Sequence, residues 1–224
     1  MGLNKLTLLD YPNKMAAAIF IGGCNFDCGF CHNSSLINPA NKDIISKQEI
    51  LDFLDKRKNI LEGVCLTGAE PLLSNELESL ILDIKSIKNY KIKLDTNGSL
   101  PNKLSYLLNK NLIDYIAMDI KNSKAKYPKI IGKNIDLNLI EQSIQLIISL
   151  APDYEFRTTL IKEYHTKEDL ISMLDLIKGA KRYALQTYIE SEMVRQKGLK
   201  SFSIAQMQEF LSIAKKHITE AILR

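Results

Sequence analysis

The sequence predicts an α/β protein with a mainly parallel sheet and helices packed outside it. Six short apolar runs alternate along the 224 residues with longer segments whose apolar residues recur at helical spacing. Capping and turn residues punctuate the alternation, and each run ends in polar or ligand-capable groups. Such a chain forms either a doubly wound open sheet or a barrel, complete or partial. In both, function gathers at the C-terminal ends of the strands.

The elements follow in order. Leu6 to Leu9 and Met15 to Ile21 are strand-like, with the turn residues Asp10-Tyr11-Pro12-Asn13 between them, so a short hairpin is expected to lead into a first core strand, Ala16 to Ile21. Ser46 caps a helix with Glu49 three residues on, and Ile50, Leu51, Phe53 and Leu54 form its apolar stripe. Val64 to Leu66 is the second strand. A helix over Ser74 to Lys88 carries Leu77, Leu80, Ile81 and Ile84 on one side, and Lys91 to Leu94 is the third strand. Pro101 opens a helix that runs to about Lys110. Tyr115 to Met118 is strand four, Asp136 to Leu150 a long helix and Tyr154 to Ile161 strand five. Lys167 to Lys178 is helical, Arg182 to Thr187 is strand six, and Ser203 to about Ile218 closes the chain as a helix. The Lys-rich stretch from Lys121 to Lys133 is expected to be a solvated connection, with a mobile partner-contacting loop as the alternative.

Composition narrows the class. A hydrophobic content of 46% with 25% charge is that of a globular chain able to bury an ample core in one domain. The net charge of +4 comes from 30 basic and 26 acidic residues spread along the whole length, so no block marks a nucleic-acid footprint. No apolar run approaches the ~18 to 20 residues of a membrane span, and the N-terminus has no apolar core behind a basic start. The expectation is a cytoplasmic protein with no membrane and no nucleic-acid partner. In a reducing compartment, closely spaced cysteines are metal ligands or redox groups before they are disulfides.

Three of the four cysteines, Cys24, Cys28 and Cys31, lie in the loop Gly22 to Asn33 directly after the first core strand, with Cys-x3-Cys-x2-Cys spacing. Cys28-Gly29-Phe30-Cys31-His32 matches a c-type haem attachment pattern, but that leaves Cys24 unexplained and belongs outside the cytoplasm. A zinc site would need a fourth ligand. His32 is adjacent to Cys31, and neighbouring residues rarely reach one tetrahedral ion; the next histidine, His165, is far along the chain. The third candidate is an iron-sulfur cluster with three protein ligands, one iron being left open for a small molecule. Cys65, inside an apolar strand, is expected to be buried and inert.

Cys-x3-Cys-x2-Cys after the first strand, with Gly68-Ala69-Glu70-Pro71 after the second, resembles the radical S-adenosylmethionine enzymes. Leu9-Asp10-Tyr11-Pro12, Cys31-His32-Asn33, Asp95-Thr96-Asn97-Gly98 and Met118-Asp119-Ile120-Lys121 resemble the glycyl radical enzyme activases, most of all the activating protein of anaerobic ribonucleoside-triphosphate reductase. The likeness runs over nearly the whole chain. It implies a single radical SAM domain over residues 1–224, folded as a partial (βα)6 TIM-type barrel behind a short N-terminal hairpin.

The resemblance also implies roles. Cys24, Cys28 and Cys31 would ligate one [4Fe-4S] cluster, with Asn25 and Phe26 shaping the loop, and S-adenosylmethionine would occupy the open iron. Gly68, Ala69 and Glu70 would hold its amino group; Asp95 and Asp119 would form a monovalent-cation site beside its carboxylate; Asn97 and Lys121 would add hydrogen bonds; Arg157 and Gln186 would line the same pocket. No residue beyond the cluster and cofactor is implied as catalytic. Where the family has Gly-Gly-Glu-Pro, this chain has Ala69, which is costly only if that position needs a positive φ. The implied activity is reductive cleavage of S-adenosylmethionine to a 5′-deoxyadenosyl radical, with an electron from flavodoxin or ferredoxin, and hydrogen abstraction from a glycine of a glycyl radical enzyme, anaerobic ribonucleotide reductase foremost. Alternatives are a pyruvate formate-lyase activating enzyme, a 7-carboxy-7-deazaguanine synthase, or a non-enzymatic zinc or haem module.

Overall fold

The computed structural model describes residues 1–38 and 44–224. One eight-stranded sheet runs through it in sequence order: β1 Gly2–Thr7, β2 Ala16–Ile21, β3 Gly63–Gly68, β4 Lys91–Thr96, β5 Tyr115–Asp119, β6 Tyr154–Leu160, β7 Arg182–Thr187 and β8 Glu220–Leu223. β1 pairs antiparallel with β2, and every later pair is parallel. Between the parallel strands run α1 Lys47–Lys56, α2 Leu77–Ile87, α3 Pro101–Asn109, α4 Tyr127–Ile131, α5 Leu137–Leu150, α6 Lys167–Leu176 and α7 Ile204–Ala214. Six strand-helix units are therefore present, as the alternation predicts. Among the described residues no pairing joins β1 to β8, so the sheet is an open barrel wall rather than a closed one.

The helices start where the side chains dictate. Ser46 accepts from the Glu49 backbone N–H at 3.2 Å while Glu49 reaches back to the Ser46 N–H at 2.9 Å, a complete capping box. Ser203 and Gln206 repeat the device at α7, and Thr166 with Asp169 at α6.

The sheet's two faces differ. One face carries Ile19, Ile21, Val64, Leu66, Ile92, Leu94, Ile116, Met118, Phe156 and Leu185 into the main core under the helices. Alternation turns Ala16, Ala18, Cys65, Lys93, Asp95, Ala117, Asp119, Glu155, Arg157 and Gln186 to the inner face. Side chains two strands apart meet there: Arg157 on β6 reaches Asp95 on β4 at 3.3 Å, and Arg182 on β7 reaches the Tyr115 hydroxyl on β5 at 3.0 Å. Tyr11 plugs the lower end of the wall, packed on Tyr115 with ring centroids 5.9 Å apart. It also lies over Gly63, where a Cβ would meet its ring at 2.9 Å.

Four expectations are corrected. The first strand is Gly2–Thr7, not Leu6 to Leu9: the Thr7 hydroxyl accepts from the Leu9 and Asp10 N–H groups at 3.2 and 3.1 Å and turns the chain there. The stretch Lys121 to Lys133 is no solvated loop, because Tyr127, Ile130 and Ile131 of α4 are buried and Gly132 ends the helix with φ +65°. α2 begins at Leu77, three residues later than the expected start at Ser74, after a 3-10 turn over Pro71–Leu73. The last helix ends at Ala214, and the four residues Glu220–Leu223 add a strand to β7.

Candidate cluster and cofactor site

The cysteine loop leaves β2 at the C-terminal end of the sheet and is tied down by backbone on several sides. Gly23 N–H donates to the Leu36 carbonyl at 2.8 Å, Asp27 N–H to the Ile131 carbonyl at 2.8 Å, and the Gly23 carbonyl accepts from Glu70 N–H at 2.9 Å. Phe26 and Phe30 are buried beneath it. Cys28 is buried, whereas Cys24 and Cys31 are half-buried, and all three thiols are free. They line one cleft of about 520 Å³ with Gly68, Ala69, Asp95, Asn97, Asp119, Lys121, Arg157 and Gln186. The strand ends singled out by sequence thus converge on one place, with a single exception.

That exception is Glu70. It is fully buried and does not line the cleft; its carboxylate accepts from the Thr96 hydroxyl at 2.9 Å, Asn97 N–H at 2.6 Å and Leu72 N–H at 3.2 Å. Its geometry ties the turn after β3 to the turn after β4 rather than offering an acid to a ligand. Burial raises its pKa to about 7 against the opposing pull of the Asn97, Thr96 and Leu72 donors. The backbone beside it answers the Ala69 question. Gly68 has φ +110°, and a Cβ there would meet Ile21 backbone atoms at 2.7 Å, while Ala69 is not among the residues of positive φ. The one glycine this turn requires is present.

Asn97 donates to Asn25 Oδ1 at 2.9 Å and approaches the Cys24 sulfur at 3.9 Å, so the turn after β4 braces the cysteine loop. The floor is an ion-paired chain. Asp95 accepts from the Thr67 hydroxyl at 2.9 Å, from Arg157 and from the buried Lys93; Asp119 accepts from Arg157 Nε at 2.9 Å and Lys121 Nζ at 3.0 Å. Three cations against two carboxylates leave this chain one positive charge in excess. Burial alone would raise the Asp119 pKa, but the Arg157 and Lys121 charges overcome it and hold the carboxyl well below the usual range. Each oxygen of Asp95 and Asp119 already accepts from a protein donor, so a monovalent cation beside them would share these carboxylates with Lys93, Arg157 and Lys121.

The thiols are the other half of the electrostatics. Burial pushes Cys28 up to about 11 and raises Cys24; the Lys121 charge opposes both shifts. Thiolate ligation therefore needs positive charge close by, and Lys121 is placed to supply part of it. Among the described residues no three Cys, His, Asp or Glu side chains converge on a point where one ion would touch all of them. A cluster asks for one thiolate at each of three irons instead, and three free thiols on one anchored loop, beside a cavity large enough for a small ligand, fit that demand.

Sequence reasoning did not find Asp10, Thr67 and Thr159 in the cleft wall, nor the segment Tyr188 to Leu199. That segment straps the cysteine loop. His32 Nε2 meets the Ile189 carbonyl at 2.6 Å, Gln196 N–H donates to the Gly29 carbonyl at 3.0 Å, and Arg195 pairs with Asp27. His32 is thereby engaged as a loop anchor. His165 is buried and bonded to the Lys121 carbonyl at 3.0 Å. The Asp10 signal was available in the Leu9-Asp10-Tyr11-Pro12 motif; the strap has neither periodicity nor a motif to announce it. Cys65 is buried as expected, but on the inner face, 3.8 Å from Lys93 Nζ, and burial raises its thiol far above the usual range.

The model of the radical SAM superfamily matches residues 18–177, which hold every cleft-lining strand but β7. The chain belongs to the radical S-adenosylmethionine superfamily. It is a radical SAM enzyme, and the family's cofactors are a [4Fe-4S] cluster and S-adenosylmethionine. A Methanocaldococcus jannaschii protein provisionally named glycyl-radical enzyme activating enzyme is 29% identical over 229 aligned positions, covering all of this chain and 94% of the relative. A GTP 3′,8-cyclase of Synechocystis is 30% identical over 73% of this chain but only 49% of its own length. Streptococcus suis SuiB bound to S-adenosylmethionine superimposes with a TM-score of 0.71 at 17% identity, over 92% of this chain and 49% of SuiB, a likeness of fold. This radical SAM fold has the open parallel wall and antiparallel N-terminal hairpin that the sequence predicts. Among the described residues no helix is long and apolar enough to cross a membrane.

Proposed function

We propose that this radical SAM enzyme is a glycyl radical enzyme activase whose partner is an anaerobic ribonucleotide reductase. The observation that carries the proposal is the correspondence with the M. jannaschii relative, which runs over all of this chain and 94% of that protein. The cleft is consistent with it, since the sheet is not closed between β1 and β8 among the described residues, and Asp10, from the hairpin at one edge, and Gln186, near the other, line the same space.

Cys24, Cys28 and Cys31 would hold the cluster. When bound, the cluster and S-adenosylmethionine supply a 5′-deoxyadenosyl radical on receipt of one electron, from flavodoxin or ferredoxin in this reading. The chain's own residues bind and orient. Gly68 and Ala69 offer backbone to the amino group, with Glu70 setting the turn from behind; Lys121 and Arg157, the cationic excess of the floor, face the carboxylate; Asn97 braces the loop and Gln186 closes the far wall. Asp95 and Asp119 hold Lys121 and Arg157 in place, and would share a monovalent cation with them beside the carboxylate.

The test is anaerobic reconstitution with iron and sulfide, followed by reduction and S-adenosylmethionine, with and without anaerobic ribonucleotide reductase. The expected result is 5′-deoxyadenosine together with a glycyl electron spin signal on the reductase. Cys28→Ser should lose the cluster absorbance and bring 5′-deoxyadenosine to background. Cleavage without a glycyl signal, accompanied by turnover of GTP or of a deazaguanine precursor, would replace the activase reading by a small-molecule one.

A further inference from the structure

The hairpin between β1 and β2 displays apolar side chains that the fold does not use. Leu8 is 67% and Leu9 88% exposed, and Leu6 and Met15 beside them are 53% and 40% exposed. The display is rigid. The Thr7 hydroxyl pins the Leu9 and Asp10 N–H groups, Tyr11 is buried under the barrel wall, and Met15 N–H is bonded to Glu62 at 3.1 Å. The same turn that holds Leu8 and Leu9 in solvent directs Asp10 into the cleft. Neither leucine lines the cleft, so a small substrate inside it would not touch them; a macromolecule feeding a segment past Asp10 would.

We propose that Leu8 and Leu9, with Leu6 and Met15, are the apolar anchor on which the glycine-bearing partner protein docks as its loop enters the cleft. The inference rests on the activase reading. Two observations favour that occupant over a second copy of this chain. The patch exposes on the order of 400 Å² of apolar surface, about half of what each side of a stable interface buries, which suits the anchor of a transient encounter. The β1 edge is also a poor template for strand-to-strand pairing, because the register shifts between Asn4 and Thr7 and Lys5 is exposed there. Contact must then come from the leucine side chains.

The experiment compares the reconstituted holoenzyme with its Leu8→Ser/Leu9→Ser variant, using intact anaerobic ribonucleotide reductase as partner. Cluster content and 5′-deoxyadenosine formation without partner should be unchanged. The partner concentration giving half-maximal glycyl radical should rise about 10- to 100-fold, with the saturating rate retained. Ile204→Ser, which removes an 82% exposed side chain from α7 instead, should leave that concentration where it was. Equal half-saturation in wild type and double variant overturns the docking site and leaves the activase reading standing. A wild type that cleaves S-adenosylmethionine but makes no glycyl radical overturns both. If the wild type sediments as a dimer that the double variant dissociates, with half-saturation unchanged, the patch is a self-association surface and the proposal fails.

Discussion

The two faces of the sheet are made from the same strands and do opposite work. Phe156 and Arg157 are neighbours on β6: the phenyl ring is fully buried among helices, and the guanidinium bridges Asp95 and Asp119 over the cleft floor. Outer-face burial is non-directional and tolerates exchange of similar volumes. Inner-face burial works only while every charge keeps its partner, because a lone buried ion costs more than a well-made pair returns. The outer face thus determines stability by volume, and the inner face determines it by pairing.

Arg157→Met against Phe156→Leu is the strongest way to break that contrast. Losing Arg157 leaves each carboxylate one cation, Asp95 with Lys93 and Asp119 with Lys121, but removes two charge-assisted hydrogen bonds, and should cost about 3 kcal/mol of stability at neutral pH together with S-adenosylmethionine binding. Phe156→Leu should cost about 1 to 1.5 kcal/mol and leave binding intact. Urea unfolding and equilibrium dialysis of the two variants measure both quantities. A smaller loss for Arg157→Met than for Phe156→Leu would mean that the inner network is ornamental.

The same contrast explains what was legible in the sequence. Strands facing helices announce themselves as apolar runs, and helices as capped periodic segments, so six units are countable in the sequence alone. The inner face was also written there, as alternation: Lys91-Ile92-Lys93-Leu94-Asp95 and Glu155-Phe156-Arg157 place a charge at every second position of strands that must be covered on one side. Lys93 itself carries no signal of burial, because a lysine in a strand is ordinarily a solvated one, yet on the inner face of this sheet it is 1% exposed. β8 is four residues long and follows a helix without a turn signal, and α4 hides in a Lys-rich stretch whose only mark is Tyr127-Pro128. Glu70 was legible as important but not as buried. Its three donors lie in turns whose approach depends on tertiary closure.

Glu70 gives a second, somewhat smaller test, because it is an unpaired acid buried against polar backbone. Its folded pKa, about 7, lies above the ordinary glutamate value, so the folded state binds the proton more tightly. Stability from this group is therefore full below pH ~4.5 and declines as pH rises toward 7, by at most about 3 kcal/mol, with no further change above that. Glu70→Gln should remove that slope between pH 4.5 and 7, read from urea midpoints, while lowering stability at the acid end through the acceptor it loses. The paired Asp119 predicts the opposite sign, since its folded pKa is depressed and its contribution is lost only as the solution becomes strongly acid. If the Glu70→Gln profile keeps the wild-type slope, the buried carboxyl is not what titrates.

The smallest expected effects lie where β3 leaves the sheet and the two faces end. Gly68 and Ala69 are adjacent, both line the cleft, and the superfamily motif they resemble has glycine at both positions. Only Gly68 is conformationally committed: its φ of +110° strains any side chain, and an added Cβ would press on the Ile21 backbone at 2.7 Å, which cannot yield without unpairing β2 from β3. Gly68→Ala should therefore cost about 2 kcal/mol or more and weaken S-adenosylmethionine binding. Ala69→Gly restores the family's residue at a position that does not need it, and should lower stability by no more than about 1 kcal/mol through the added freedom of the unfolded chain, with binding unchanged. Isothermal titration of the reconstituted proteins separates the two substitutions. A tighter complex for Ala69→Gly would show that the methyl group, rather than the backbone conformation, limits how closely the cofactor approaches this turn.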